Sequence, residues 1–176
     1  EVLNSTFSNC GIGSANGVGL TIKARDDAPS YSANPATLSG VTIDNVAFNG
    51  SRTGLAFGEP GKDNDGPTDI VIKTSTFESN TVMDINNFCK SDIDAKLNNT
   101  FTGAADNFAI EDRVYHKLDN SVLGLVTWLD NNVYVTANSG SIQRGIVAAS
   151  QDWNVNVNSG TFTETVSIDK KVSLIG

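Results

Sequence analysis

The stretch Leu3-Asn4-Ser5-Thr6-Phe7 decides the fold, because the chain repeats its shape three more times. The further copies span residues 44–48, 73–77 and 97–101. Each copy ends a short, mostly polar run with one Phe, and small or turn-forming residues follow it. A segment that recurs along a chain indicates a repeat architecture.

The repeat predicts stacked coils of short strands. After each of the first three copies we expect a turn, a second apolar strand (19–22, 54–57 and 82–85) and a loop (23–39, 58–69 and 86–92). One such unit cannot bury its own apolar face, whereas stacked units bury a continuous column. The column would hold an inward Phe ladder of Phe7, Phe48, Phe77 and Phe101. A second apolar ladder would contain Leu20/Ile22, Leu55/Phe57 and Met83/Ile85. A polar ladder would contain Asn4, Asn45, Thr74 and Asn98.

This arrangement is an all-β, right-handed parallel β-helix (solenoid), with one short capping helix considered below. Over about residues 1–112 the pattern resembles the parallel β-helix repeats of the pectin-lyase-like superfamily. The alternative is an antiparallel β-sandwich of similar strands. Long, unequal loops between matching units favour the solenoid.

The rest of the chain predicts a junction and a second solenoid. We interpret residues 113–138 as a terminal coil with junction strands, and 139–176 as a capping helix with the first coil of a second β-helix. The helix is predicted over 141–150, capped by Ser139 or Ser141, because Ile142, Ile146 and Ala149 share a helical face. From Asp106 onward the chain is similar to linkers between tandem β-helix modules of large secreted bacterial surface proteins.

Composition excludes some function classes. The formal net charge of −8 and the pI of about 4.4 argue against nucleic acid as a partner, because phosphate binding needs a basic face. No run approaches the roughly 20 apolar residues of a membrane helix, so we expect no membrane insertion. Cys10 and Cys89 are more readily read as free or buried thiols than as a disulfide, although spacing leaves both open.

The loops supply candidate binding residues, because loops after equivalent strands leave a solenoid at the same edge. The predicted ligand-binding residues are Arg25, Asp26, Asp27, Tyr31, Glu59 and Lys62. Asp63, Asp65 and Asp69 are candidate Ca²⁺ ligands, because carboxylate oxygens suit that ion. The alternative for this stretch is a solvated turn rich in Asp, Asn and Gly.

The resemblance implies one possible chemistry. β-Helix lyases that cleave acidic polysaccharides combine Ca²⁺-binding aspartates with a basic proton acceptor, a role for which Arg25, Arg52 or Lys62 are candidates. No lyase motif matches residue by residue, so the sequence identifies no catalytic residue. We interpret His116 as an ordinary strand or edge residue, and Glu111-Asp112-Arg113 as a local ion pair or turn. Trp128 and Trp153 are expected to pack at the junction.

The sequence therefore predicts an extracellular or cell-surface structural or adhesive module. It would stack end to end with other copies or neighbouring β-helix modules, into a filament or surface array. Glycans and Ca²⁺ would be contacted through the loops. The alternative is a carbohydrate-active β-helix domain that binds or cleaves an acidic polysaccharide, as a polysaccharide lyase does.

Overall fold

The computed structural model describes all 176 residues, which form stacked parallel sheets of a β-helix-like solenoid. The first sheet contains β1 (Val2–Leu3), β4 (Thr42–Asp44), β7 (Ile70–Lys73), β10 (Ile93–Leu97) and β13 (Val126–Thr127). The second contains β2 (Thr6–Ser8), β5 (Ala47–Asn49), β8 (Thr76–Glu78) and β11 (Thr100–Phe101). The third contains β3 (Val18–Ile22), β6 (Thr53–Gly58), β9 (Met83–Phe88) and β12 (Val114–Tyr115).

Four coils each contribute one strand to each of the three sheets, and β13 adds a fifth strand to the first sheet. Equivalent strands of successive coils pair in parallel. The first coil is β1-β2-β3, the second β4-β5-β6, the third β7-β8-β9 and the fourth β10-β11-β12. All-parallel pairing confirms the predicted solenoid and contradicts the antiparallel sandwich.

The Phe ladder forms in the predicted register along the second sheet. Phe7, Phe48, Phe77 and Phe101 stack with ring centroids 5.6, 5.1 and 5.1 Å apart and with interplanar angles of 9–12°. Phe48 and Phe77, which have a ring on each side, are fully buried, whereas Phe7 and Phe101 at the ends are half-buried. Stacking therefore explains why one aromatic residue recurs once per coil.

The turn between the first and second sheets explains the recurring polar residue. Asn4, Asn45, Thr74 and Asn98 all have left-handed backbones, with φ between 49° and 55°. Asparagine tolerates this conformation better than most residues do. The predicted side-chain ladder forms between the first two coils, where Asn45 Nδ2 donates to Asn4 Oδ1 over 2.8 Å. The ladder does not continue to the third coil, where the Thr74 hydroxyl donates to Asp44 instead of bonding to Asn45.

The third sheet corrects one predicted register. Leu20, Leu55 and Ile85 align, as expected for inward residues, but Ile22 and Phe57 align with Asn87 rather than with an apolar residue. Met83 instead pairs with Thr53 at the strand start. Because β9 continues to Phe88, the third loop begins three residues later than 86.

The C-terminal part adds a fourth sheet and two helices. The fourth sheet contains β14 (Asn132–Val135), β15 (Asn154–Val157) and β16 (Ser173–Ile175), all parallel. The predicted helix is α2 (Ile142–Ala148), and its N-cap is Ser141, whose hydroxyl accepts from the Arg144 N–H. A further short helix, α1 (Asn107–Glu111), begins at the N-cap Asp106, so the chain has two short helices where the sequence indicated one.

Two hydrophobic clusters fill the interior. The larger contains 15 buried residues from the first three sheets, and the smaller contains 7 from residues 118–155, including α2 and the fourth sheet. The two cysteines are not bonded to each other, and Cys89 is buried in the larger cluster. Neither helix has the length and apolar character needed to cross a membrane.

Candidate functional site

The first two loops meet in a network of charges that contains five of the six predicted ligand-binding residues. Arg25 Nε lies 2.5 Å from Glu59 Oε2, and the Arg25 guanidinium carbon lies 3.9 Å from the centre of the Tyr31 ring. Lys62 Nζ lies 3.1 Å from Asp27 Oδ2. The structure thus brings these residues together, but it uses their charges to bind the loops to each other.

Asp26, the sixth predicted residue, joins the loops from beside this network. Its carboxylate accepts from Asn64 Nδ2 at 2.7 Å and from the backbone N–H of Asp65 at 2.9 Å. These two hydrogen bonds lower the pKa of Asp26 despite some desolvation. The Asp26 carboxylate therefore links the first loop to the second by hydrogen bonds.

Two of the three predicted calcium ligands, Asp65 and Asp69, have side-chain partners within the protein. Asp65 pairs with Lys90 over 2.7 Å, Asp69 accepts from the Ser39 hydroxyl, and Asp63 occupies a left-handed turn position. No group of three or more His, Cys, Asp or Glu side chains is arranged to hold a metal ion. Calcium binding at this loop stays a prediction.

A groove of about 590 Å³ crosses the outer face of the third sheet. We call it the outer groove. One wall lies at the strand starts and the other at the strand ends. The first wall includes Ala15, Asn16, Arg52 and Val82; the second includes Lys23, Glu59, Pro60 and Phe88; the floor includes Thr21, Thr53, Ala56 and Asn86. Because these residues come from three successive coils, the groove runs across the strands.

Arg52 distinguishes the outer groove from the loop network. Among the 12 lysines and arginines, only Arg52 and Lys117 have neither a side-chain ion pair nor a side-chain hydrogen bond within the protein. Arg52 is half-buried in the groove wall. The groove thus presents an uncompensated positive charge on a protein of net charge −8.

Sequence reasoning missed a second groove, of about 600 Å³, on the outer face of the first sheet. Its lining includes Asp69, Asp92, Asp94, Lys96 and Trp153. Asp94 is paired with Lys96 at 3.5 Å, and Asp92 accepts from the backbone N–H of Leu125 at 2.7 Å. Asp92 and Asp94 at the start of β10 were the available signal, but the approach of Trp153, which precedes β15, depends on the tertiary fold.

The junction contains a buried polar cluster that corrects the interpretation of His116. The ring is 1% exposed and follows β12 rather than lying in a strand, and the fully buried Glu111 lies 3.2 Å from its Nε2 atom. The backbone N–H of Val126 donates to Nδ1, which places the ring proton on Nε2, facing Glu111. Burial raises the pKa of nearby Asp119 to about 6, although its carboxylate accepts from the His116 N–H.

Glu111, Asp112 and Arg113 form no local ion pair, but Asp112 and Arg113 lie in the turn that was the other predicted possibility. Arg113 instead pairs with the fully buried Asp84 in the preceding coil, at 2.7 Å. Asp112 accepts from the Thr136 hydroxyl and from Asn138 Nδ2, both of which follow β14. Trp128 packs at the junction as predicted, stacked on Tyr134 with ring centroids 5.7 Å apart.

Comparisons of this chain with models of known families, with curated proteins and with solved structures found no match.

Proposed function

We propose that this chain is a structural or adhesive β-helix module of an extracellular or cell-surface protein, which stacks end to end with other solenoid coils. The observation that carries this proposal is the coil-to-coil interface, which the chain repeats with the same aromatic stack and parallel register. An interface that repeats without closing extends a solenoid, and between molecules it generates a filament.

The terminal coils support the same proposal. Strands β1, β2 and β3 each pair on one edge only, as does β16. Unpaired strand edges are templates for further strands. Apolar side chains accompany them, since Leu3, Leu174 and Ile175 are 44–45% exposed. A further coil, from the same polypeptide or from a neighbouring molecule, would cover these groups.

Particle sizing and electron microscopy of the purified chain test the assembly proposal. We expect a mass that rises with protein concentration, and we expect Leu174→Lys to suppress the rise because it places a charge on the β16 edge. Val147→Lys is the matched control, because Val147 is 57% exposed on α2 and not on a strand edge. A strictly monomeric protein at high concentration would refute self-stacking.

A second candidate function is the binding of an acidic glycan, as in a carbohydrate-active β-helix domain. The observation that favours it is the outer groove, whose wall carries the unpaired Arg52 and whose floor offers hydroxyl and amide groups. This second proposal includes membership of the pectin-lyase-like superfamily, and the stacked parallel sheets support it. Retention of the chain on immobilised acidic glycans tests it, and a failure to bind any of them would exclude it.

A further inference from the structure

We propose that Arg52 recognises a carboxylate of an acidic glycan in the outer groove, by direct contact and without a bridging metal ion. This inference rests on the second function proposed above. It names the residue that would give the groove its preference for charged over neutral sugars, and it replaces Arg25 and Lys62 in the binding role.

The first step is the availability of the charge. Arg25 and Lys62 are neutralised by Glu59 and Asp27 in the loop network. Lys23, the other cation of the groove, lies 3.1 Å from Glu59. Arg52 has no such partner, so a ligand that reaches it displaces water and no protein carboxylate.

The second step is the fit between a guanidinium and a carboxylate. The planar guanidinium presents its N–H donors as a fork, and the two oxygens of a carboxylate accept from it in parallel. A half-buried position strengthens this pairing relative to one in open water. A lysine ammonium would supply the charge without the fork.

The third step concerns the metal. Glu59 is the only carboxylate that lines the outer groove, and it already contacts Lys23 and Arg25. A Ca²⁺ ion that bridges a protein to a uronic acid needs several protein oxygens, usually carboxylates among them. The donor set of this groove therefore suits direct contact by Arg52.

The fourth step is the shape of the site. Neighbouring strands of a sheet lie about 4.8 Å apart, so a groove over three coils accepts an extended chain. Its floor offers the Thr21 hydroxyl and the Asn86 amide, whose Nδ2 makes only a long 3.5 Å contact to Thr53 Oγ1. Phe88, in the opposite wall from Arg52, supplies an apolar surface for a sugar ring.

Isothermal titration calorimetry with uronic-acid oligomers tests the inference, with their methyl esters as the matched neutral probe, first in EDTA and then with added Ca²⁺. The parent protein should bind the free acid at least about tenfold more tightly than the ester, because hydrogen bonds to a charged group contribute more. Arg52→Gln should weaken binding of the acid by about tenfold to a hundredfold. It should leave binding of the ester unchanged, and Arg52→Lys should fall between the two.

Lys117→Gln is the control variant, because it removes the other unpaired cation and lies outside the outer groove. It should bind the acid as the parent does. The Arg52 substitutions should preserve the fold, because the contact of Arg52 with the next coil is made by its backbone oxygen, which accepts from the Val82 N–H. Circular dichroism checks this point.

The outcomes separate the inference from the function on which it rests. Equal binding of acid and ester, or of the parent and Arg52→Gln, would overturn the role of Arg52 and leave glycan binding standing. Binding that requires added Ca²⁺ would overturn direct contact. Failure of both probes to bind would overturn the inference together with uronic-acid binding. Sulfated oligomers that bind in preference to uronic acids would overturn the assignment of a carboxylate.

Discussion

Replacement of Phe77 by alanine should lower the free energy of unfolding by about 4–5 kcal/mol, near the upper end for buried aromatic residues. Phe77 is fully buried, and its ring stacks on Phe48 and on Phe101 with centroids 5.1 Å apart on each side. Each stack contributes about 0.5–1.5 kcal/mol beyond the burial of area. The substitution removes both stacks and leaves a cavity in the middle of the column.

Phe7 provides the internal comparison. It belongs to the same ladder, but it is half-buried and has one ring neighbour, at 5.6 Å. Phe7→Ala should therefore cost only about 1–2 kcal/mol, from one stack and partial burial. Phe77→Leu should cost about 1–2 kcal/mol, because leucine keeps much of the apolar volume and loses the stacking.

Urea unfolding measures these costs, followed by far-ultraviolet circular dichroism and by the fluorescence of the two tryptophans at the junction. Both probes are needed, because solenoids can unfold in parts, and a single free energy then has no clear meaning. If Phe7→Ala and Phe77→Ala lose equal stability, the ladder is not the source of the energy. If Phe77→Leu costs as much stability as Phe77→Ala, the magnitude assigned to each aromatic stack is wrong.

Three further predictions concern a glycine, a titrating carboxyl group and the calcium hypothesis. Gly58→Ala should destabilise the fold by at least about 1 kcal/mol, because Gly58 has φ +73° and a Cβ would lie 2.9 Å from the Phe88 carbonyl carbon. The change in the thermal midpoint measures this cost. Gly61→Ala is the control, because Gly61 also has a positive φ but lies in open space. Asp119 has a raised folded-state pKa of about 6, so its proton-linked stabilisation is complete below about pH 4 and is lost as the pH rises through about 6. The free energy of unfolding of the parent relative to Asp119→Asn should thus fall by about 1–3 kcal/mol between about pH 4 and about pH 8, and a pH-independent difference would refute the shift. The calcium hypothesis predicts that EDTA lowers the melting temperature and that added Ca²⁺ restores it, and an unchanged midpoint would end that hypothesis.

The register of the second sheet could be predicted from sequence, because each coil places one Phe at a fixed distance after a polar residue. The turn residue at Asn4, Asn45 and Asn98 carries the same information, since its left-handed backbone restricts which residues serve there. The two signals repeat together, so unequal loops do not obscure them.

The register of the third sheet could not be predicted in the same way, because polar residues enter the core there. Asn87 is fully buried beside the apolar column, and its Nδ2 donates to the backbone oxygens of Ser91 and Gly124. Asp84 is fully buried at the strand start and paired with Arg113. The apolar pattern of the sequence therefore predicted that Met83 faces the column. A pattern of apolar residues gives no sign of buried polar residues whose partners lie in other coils.

The candidate site shows the same limit for charged residues. Sequence reasoning selected Arg25 and Lys62 because they lie in loops beside acidic residues, but that proximity neutralises them. Arg52 was named only as a candidate proton acceptor and not among the ligand-binding residues, because it follows a short turn and has no acidic sequence neighbour. Its importance depends on which other charges are paired, and that pairing follows from the register of the coils.

The pairing of charges separates the parts of the molecule that hold the solenoid together from the parts that are free to bind. Ion pairs that link coils, such as Lys73 with Asp44 and Arg113 with Asp84, act along the stacking direction and have no charge left for a ligand. The loop network does the same between its two loops. An exposed pair contributes little to stability on its own, but it removes a cation from the set available to a partner.

Arg52 remains in a groove that crosses three coils, so a ligand bound there would also tie those coils together. Binding of an acidic glycan should therefore stabilise the stack against unfolding, and this coupling joins the two functions proposed for the chain.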